Sequence, residues 1–376
     1  TDALNWVKTD INNYLYAKAG ATYTLPSNTT LFFSRVVCPE GEATFIVPSN
    51  TYLNLLEKTD GSEVFVLKNL RFLVAGHRNT LTTSTTYLYS TAYGSVIRKA
   101  DLQNLKIYAL TDLNNIDSWQ DDTNMTRMAG FATYKVIESS TVKNIKTYGV
   151  AFLLMIDCTN NNATHEEQDI YAYNVETVIY HPSGTWKSGY ALNINIINNL
   201  AQRDYWTKRD AAVPLRRNGK NCIMCEADHD LIYRVSDITA KCAIEKSVYN
   251  TSKNSFTKNI VDDNCFSMAT IKSGKNEGTP SFDVSVFDLT AKNPTNTVGV
   301  QDAYGWANAN FEKISIVCDT KNTVKPFLFC DLGTITYKNV KAQNMGICFA
   351  FSDRDINDAI VTNVANVNII DSEFID

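Results

Sequence analysis

Short segments with an alternation of apolar and polar residues recur along most of this chain. Each follows one six-residue pattern: an apolar or small residue, any residue, Asn or Asp, an apolar residue, any residue and a variable sixth. The pattern is clear at residues 67–72, 102–107, 142–147 and 337–342. From residue 235 onward its successive starts are 22, 29, 25, 26 and 24 residues apart. A near-constant period built from short β-type segments is typical of a β-solenoid, and the Leu spacing of a leucine-rich repeat is missing.

The third position of the pattern predicts a structural ladder of turn residues. Asn and Asp side chains hydrogen-bond local backbone and tolerate unusual φ values, so they suit the bend between two strands of each coil. If the coils stack in parallel, equivalent residues lie above one another. We expect the ladder to contain Asn69, Asn104, Asn144, Asn174, Asp237, Asn259, Asp288, Asn339 and Asn363, with Lys313 as an exception.

The pattern divides the chain into three parts. Residues 1–20 have apolar positions at helical spacing, with Asp2 as a possible N-cap and Gly20 as the end, and this predicts a short helix that caps the first coil. Residues 21–60 read as irregular opening coils, with turns at Pro26, Pro39 and Pro48. Residues 61–376 read as a parallel β-helix with one long loop at 200–221. If the ladder marks the bend between the second and third sheets, the strands of the first sheet are expected at 151–157, 222–227, 243–248, 265–270, 298–304 and 325–331. The C-terminal end stops within the pattern without a cap, so we expect either a truncation there or a further segment that shields the end.

Composition narrows the functional classes. The net charge of −5 and a pI of about 5.5 argue against a nucleic-acid partner. No apolar run approaches the roughly 18 residues that a membrane span needs, so we expect no membrane insertion. The nine cysteines include one C-x-x-C, at Cys222 and Cys225, but no nearby His or second pair completes a metal set. We therefore expect buried thiols, no metal and no cofactor.

A capping helix followed by β-helical coils with an Asn turn ladder resembles the pectate-lyase-like group, and within it the tailspikes of bacteriophages. The resemblance covers nearly the whole chain and rests on period and pattern. It implies an all-β fold, a right-handed single-stranded parallel β-helix. It also implies a homotrimer in the virion tail that binds and cuts bacterial surface polysaccharide. No active-site motif of pectate lyases or polygalacturonases is matched, so no catalytic residue follows from the resemblance.

The long loop and the strand after it carry the candidate site. Glycoside cleavage needs two carboxyl groups roughly 5 to 9.5 Å apart, and carboxylates on neighbouring coils meet this requirement because strands stack about 4.8 Å apart. The candidates for acid/base catalysis are Glu226 and Asp228 at the exit of one strand, Glu245 on the next coil, Asp204 in the loop, and Asp157, which could stack from the other side. Candidate aromatic platforms for sugar rings are Trp206, Tyr205 and Trp186, and candidate partners for acidic sugars are Arg203, Arg209 and Lys187.

These features leave three functional hypotheses. The first is a polysaccharide depolymerase, either an endoglycosidase or a lyase, that acts on capsule or O-antigen. The second is a non-catalytic glycan-binding fibre or adhesin, which is equally compatible with a secreted or cell-surface location. The third is a structural spacer whose loops have no ligand. No Gly-rich phosphate loop, nucleophile elbow or H-E-x-x-H motif is present, which disfavours nucleotide binding, serine-hydrolase and zinc-protease chemistry.

Overall fold

The fold is seen in a computed structural model of the 376-residue chain. The structure describes residues 2–48, 51–55, 60–75, 89, 96–110, 112–117, 132–150, 152–158, 163–173, 177–181, 188–198, 221–225, 232–242, 245–250, 255–260, 267–268, 281–291, 299–300, 308–322, 328–330, 334–345, 350–352 and 366–375. Within these ranges the chain is mostly strand, with one α-helix, and most strands pair in parallel.

The helix α1 spans Asp2–Thr9. The first strands are short: β1 Leu15–Tyr16, β2 Thr22–Thr24, β3 Thr29–Phe32, β4 Val36–Val37, β5 Ala43–Val47 and β6 Thr51–Asn54. Longer strands follow: β7 Glu63–Ala75, β8 Val96–Leu110, β9 Ala132–Tyr148, β10 Phe152–Cys158, β11 Thr164–Tyr173, β12 Thr177–His181, β13 Ser188–Asn198, β14 Asn221–Cys225 and β15 Ile232–Cys242. The last are β16 Glu245–Asn250, β17 Ser255–Ile260, β18 Ser267–Met268, β19 Ser281–Ala291, β20 Gly299–Val300, β21 Asn308–Asn322, β22 Leu328–Cys330, β23 Thr334–Met345, β24 Ala350–Ser352, β25 Asn366–Ile370 and β26 Glu373–Ile375.

The longest strands pair in one parallel row, in the order β7, β8, β9, β11, β13, β15, β19, β21 and β23. Their inward residues form the core, because apolar side chains in register stack on one another. Leu67, Leu102 and Val142 occupy one such position, and each is at most 1% exposed. The predicted β structure and its parallel pairing are therefore present in the described residues.

A residue with left-handed backbone bends seven strands of this row: β7, β8, β9, β11, β13, β21 and β23. Leu67 and Leu70 are both fully buried although residues three apart in a regular strand point to opposite sides. Asn69, between them, has φ 59°, which turns the chain so that both apolar side chains face the core. Asn tolerates this conformation better than most residues because its short polar side chain forms local hydrogen bonds.

The side chains at these bends form the expected ladder, but with partly different members. Asn104 Nδ2 donates to Asn69 Oδ1 at 2.7 Å, and Asn144 Nδ2 donates to Asn104 Oδ1 at 2.7 Å. The strand register then continues the ladder through Asp169, Asn193 and Asp237 to Val286, Lys313, Asn339 and Asp371. Lys313 has φ 57°, as its place in the pattern predicts.

Two predicted ladder members, Asn259 and Asp288, are wrong, and two others, Asn174 and Asn363, lie outside the described residues. Asp169 and not Asn174 stands next to Asn144, and Asn174 lies outside the described residues. Asn259 lies in an antiparallel hairpin, and Asp288 pairs with Thr239 two residues beyond the bend. Asp371 takes the place expected for Asn363, which is also outside the described residues. The six-residue pattern also occurs away from the bends. Only the pairing between strands distinguishes a match at a bend from a match elsewhere.

A second parallel row is formed by β10, β12, β14, β18 and β20. Four of these strands overlap segments that the sequence predicts for one sheet, at residues 151–157, 222–227, 265–270 and 298–304. The row also contains β12, which the pattern did not predict. The segment 243–248, by contrast, was expected in this sheet and instead belongs to β16, which pairs antiparallel with β17. β22, in the predicted segment 325–331, pairs in parallel with β24.

The N-terminal helix is shorter than predicted. It ends at Thr9, and Leu15 already belongs to a strand that pairs with Val36. Its buried side chains are Leu4 and Val7. A fully buried arginine, Arg35, donates to the carbonyl oxygens of Val7 and Asp10 at 2.5 and 3.3 Å, so it satisfies groups that the helix end leaves open.

Arg35 also forms a buried ion pair with Glu63. Burial lowers the pKa of Arg35, and the neighbouring Glu63 carboxylate acts in the opposite direction. A buried charge without a partner is strongly destabilising, so this pair ties the helix to the first long strand. Between them, the predicted irregular region contains five short strands, and Pro26, Pro39 and Pro48 all lie outside strands.

Candidate functional site

Most residues of the predicted site lie outside the described part of the chain. These are Glu226, Asp228, Asp204, Trp206, Tyr205, Trp186, Arg203, Arg209 and Lys187. The long loop predicted at 200–221 falls there too, except for Asn221, which begins β14. Asp157 and Glu245 are the two predicted site residues whose strands are described.

Asp157 lies on the second parallel row, near the end of β10. It is opposite Lys135 of β9, and β10 pairs with β12, which pairs with β14. The strands β10 and β14 are therefore two ladder spacings apart, about 10 Å. Glu226 follows Cys225, the last residue of β14, directly in sequence.

Glu245 does not occupy the predicted position. It was expected one coil above Glu226, but the strand that pairs with β14 on this side is β18, at Ser267–Met268. Glu245 instead opens the β16–β17 hairpin opposite Ile260. This hairpin lies in an insertion between two strands of the parallel row. Apolar and polar residues alternate in the sequence of the hairpin as they do in a strand of the row. The strand of Glu245 therefore lies outside the parallel row in which it was expected, and Glu226 lies outside the described residues.

The described residues bring together a different polar surface, on the outward side of β7, β8, β9 and β11 just after the Asn bend. One row contains Arg71, Lys106, Lys146 and Tyr171, and the row beside it contains Leu73, Tyr108, Tyr148 and Tyr173. We call this surface the Lys–Tyr face and define it by these eight residues. Each of them is partly exposed, whereas the alternate residues face the core.

The three tyrosines of the second row form a continuous stack. The ring centroids of Tyr108 and Tyr148 are 4.3 Å apart with planes 4° apart, and those of Tyr148 and Tyr173 are 4.9 Å apart with planes 2° apart. Burial, followed by the hydrogen bond with Tyr108, raises the pKa of Tyr148 to about 12. Burial also raises the pKa of Tyr173. The phenol groups of Tyr148 and Tyr173 therefore stay neutral at physiological pH.

The first row shows how this face holds an anion. The Glu42 carboxylate lies between two basic side chains of adjacent strands, with Oε1 at 2.5 Å from Arg71 and Oε2 at 2.7 Å from Lys106. One strand further, Lys146 Nζ lies 5.5 Å from the centroid of the Tyr171 ring. A cation at this distance is attracted by the ring quadrupole, which helps to orient the ammonium group.

Other polar side chains of this region face the interior. Ser140, His165 and Glu167 are fully buried, and the Tyr134 and Ser140 hydroxyl groups are 2.7 Å apart. Burial raises the pKa of Tyr134. A polymer on the outer surface cannot reach these groups, so we do not place them in the site.

The Lys–Tyr face was missed in the sequence, although a signal for it exists. A basic residue stands two positions after Asn69, Asn104 and Asn144, and a tyrosine stands four positions after Asn104, Asn144 and Asp169. Positions two and four after the bend both point outward, because alternate residues of a strand share a face. A search for residue types at a fixed offset from the bend, rather than for a loop, would have found it.

The described residues contain no cluster of three or more His, Cys, Asp or Glu side chains arranged to hold a metal ion. None of their helices has both the length and the apolar character required to cross a membrane. Comparison of the chain with protein-family models, with curated proteins and with solved structures gave no match.

Proposed function

We propose that this chain is a polysaccharide-binding and polysaccharide-cleaving protein of the phage-tailspike type, acting on bacterial capsule or O-antigen. In this proposal the two parallel rows belong to successive coils of a right-handed parallel β-helix, capped at one end by α1. The protein then works outside the host cell as part of a virion tail, as a homotrimer.

The observation that carries the proposal is the repetition of the Lys–Tyr face. Tyr108, Tyr148 and Tyr173 occur at the same register on three adjacent strands, with ring centroids 4.3 and 4.9 Å apart. A linear glycan repeats its hydroxyl and acidic groups at regular steps. The Lys–Tyr face complements it with a lysine and a tyrosine on each of β8 and β9, an arginine on β7 and two tyrosines on β11. Such a surface is more specific to a repeating polymer than to a compact small molecule.

Cleavage requires a pair of carboxyl groups near that surface or on the second row. Asp157 on β10 and Glu226 beside β14 are on strands about 10 Å apart, close to the roughly 6.5–9.5 Å separation of inverting glycosidases. One group protonates the leaving oxygen and the other activates a water molecule on the opposite face of the sugar. Asp204 and Asp228 are the other carboxylates that we propose for this role.

The test is an assay of the purified chain on a panel of bacterial capsular and lipopolysaccharide glycans, with reducing ends measured as the product. Release of defined oligosaccharides supports a depolymerase, and an ultraviolet-absorbing unsaturated product identifies a lyase. Asp157→Asn and Glu226→Gln should each reduce the rate about 100-fold or more while binding is retained. Full activity in both variants would remove this carboxylate pair from the proposal.

The second candidate function is glycan binding without cleavage, as in a receptor-binding fibre or adhesin. The Lys–Tyr face favours it, because this face carries groups for binding and the Glu42 carboxylate beside it is engaged by Arg71 and Lys106. Saturable binding to one glycan of the panel without any new reducing ends would establish this alternative.

A further inference from the structure

The basic side chains around the Lys–Tyr face differ in whether a carboxylate of the chain already neutralises them. Lys68 pairs with Asp101, and Lys99 pairs with Glu138. Arg71 and Lys106 share Glu42. The first two pairs join neighbouring strands, and Glu42 lies between the two remaining cations, so each of these four basic groups faces a carboxylate of the chain.

Lys143 and Lys146 are the exception. Neither forms an ion pair within the part of the chain that the structure describes, although Lys146 lies over the Tyr171 ring. They stand on either side of Asn144, whose φ of 54° bends the strand, and Lys143 is exposed while Lys146 is partly exposed. Their neighbours in register are Gln103 and Gln168 for Lys143, and Lys106 and Tyr171 for Lys146.

The adjacent strand contains a carboxylate at the bend, but it points elsewhere. Asp169 Oδ1 accepts a hydrogen bond from Asn193 Nδ2 at 2.7 Å, on the side away from Asn144. The two lysines therefore present cationic groups on either side of the bend, at the edge of the tyrosine stack. Lys146 continues the row of Arg71 and Lys106 by one strand, and Lys143 precedes it on the same strand.

We propose that Lys143 and Lys146 bind an acidic group of the glycan, which makes the ligand of the Lys–Tyr face an anionic polysaccharide. This inference rests on the proposed function and specifies its substrate class. Lys143 and Lys146 bind the carboxylate or sulfate of one sugar residue, as Arg71 and Lys106 bind the carboxylate of Glu42. The hydroxyl groups of Tyr108, Tyr148 and Tyr173 then form hydrogen bonds with the sugars on either side.

The chain contains a matched control for this position. Lys338 and Lys341 flank Asn339 in the same way, and register relates Lys143 to Lys338 and Lys146 to Lys341 through the same rows. Their ammonium groups, however, already face carboxylates: Lys338 Nζ is 3.2 Å from Glu312, and Lys341 Nζ is 3.8 Å from Glu373. Substitution there changes the net charge equally without removing an open cationic position.

The experiment compares the full chain with K143Q/K146Q and K338Q/K341Q. Binding to polygalacturonate, to heparin and to neutral dextran is measured by calorimetry at low and at physiological salt. We expect the parent and K338Q/K341Q to bind at least one anionic polymer, more weakly as salt rises, and dextran not at all. K143Q/K146Q should bind that polymer about tenfold or more weakly with an unchanged unfolding midpoint.

The outcomes separate this inference from the proposed function. Equal loss in both double variants would show charge attraction without a defined site and would overturn the inference. Binding or cleavage of neutral glycans alone would overturn it too, while leaving the proposed function in place. Failure to bind any glycan, anionic or neutral, would remove both. Preference for polygalacturonate over heparin would identify the acidic group as a carboxylate, and the reverse would identify a sulfate.

Discussion

Two bends of this chain, at residues 142–148 and 337–343, have nearly the same local sequence and very different surroundings. Both place a lysine on each side of an asparagine, and Asn144 and Asn339 have φ values of 54° and 55°. The flanking core residues, Val142 and Val340 among them, are about 1% exposed in each case. The local sequence thus produces the same backbone and the same pattern of buried and outward positions at both sites.

The neighbouring strands make the difference. At the first bend Lys146 lies beside Tyr171, and Tyr148 lies between two other tyrosines. At the second bend both lysines face glutamates, and Gln343 takes the place of Tyr148. The comparison teaches that the bend determines where a side chain points, while the adjacent strands determine whether it is available to a ligand.

The largest effect that sharpens this comparison is expected at Tyr148. Tyr148→Ala removes the central ring of the stack, and with it two stacked contacts and part of a half-buried side chain, which together stabilise the fold by about 3 kcal/mol. Gln343→Ala, at the equivalent outward position, should lower the free energy of unfolding by less than about 0.5 kcal/mol. Chemical denaturation measures both. Similar losses at the two positions would mean that the stack contributes little.

The next effect concerns the asparagines themselves. Asn144→Ala should lower the free energy of unfolding by about 2 kcal/mol, because Ala adopts a positive φ poorly and the hydrogen bond to Asn104 is lost. Asn339→Ala should cost about 1 kcal/mol, since it loses the backbone preference alone. Asn144→Gly is the control, because glycine keeps the backbone and loses only the side-chain bond. A larger loss for glycine than for alanine would contradict this explanation.

A third effect is a dependence on alkaline pH. The pKa of Tyr148 is raised to about 12 from an ordinary value of 10, so the folded protein holds the phenolic proton in a range where the unfolded chain releases it. The contribution is complete below pH 10 and is lost as the pH rises toward 12. Absorbance of tyrosinate during titration, with Tyr148→Phe for comparison, measures it. Tyr148 ionisation near pH 10 in the folded protein would refute the prediction.

The smallest expected effect is at the second lysine pair. K338Q/K341Q removes two exposed ion pairs, each of which contributes little because water and salt screen it, so the free energy of unfolding should change by less than about 0.5 kcal/mol. Thermal unfolding at two salt concentrations checks this. A loss above about 1 kcal/mol would show that these pairs are structural and would disqualify the variant as a binding control.

Parts of the fold were predictable because they depend on local chemistry. The apolar alternation at 67–72, 102–107, 142–147 and 337–342 correctly predicted strands with a bend after the second residue. Asn69, Asn104, Asn144 and Asn339 were assigned to the bend correctly, since few residues other than Asn, Asp and Gly adopt a positive φ without cost. The helix was predicted at the right end of the chain but too long, because Leu15 pairs with Val36 in a strand instead.

The candidate site was less predictable. A stacked carboxylate pair was expected from Glu245, but its strand forms a hairpin outside the parallel row. Sequence spacing could not show this, because an inserted hairpin has the same alternation of apolar and polar residues as a strand of the row. The Lys–Tyr face was missed for the converse reason: its members are 35 to 40 residues apart in sequence at the first bends and meet only through register.

By itself the sequence determined the β-rich character of the chain, the positions of most bends and the direction in which Lys143, Lys146 and Tyr148 point. These properties follow from backbone preference and period-two alternation, which act over a few residues. The tertiary structure alone decided that Asp169 joins the ladder, that Tyr108 and Tyr173 enclose Tyr148, and that Glu312 and Glu373 neutralise one lysine pair and not the other. Those outcomes depend on the register between strands, and the variable insertions between successive bends conceal that register in the linear sequence.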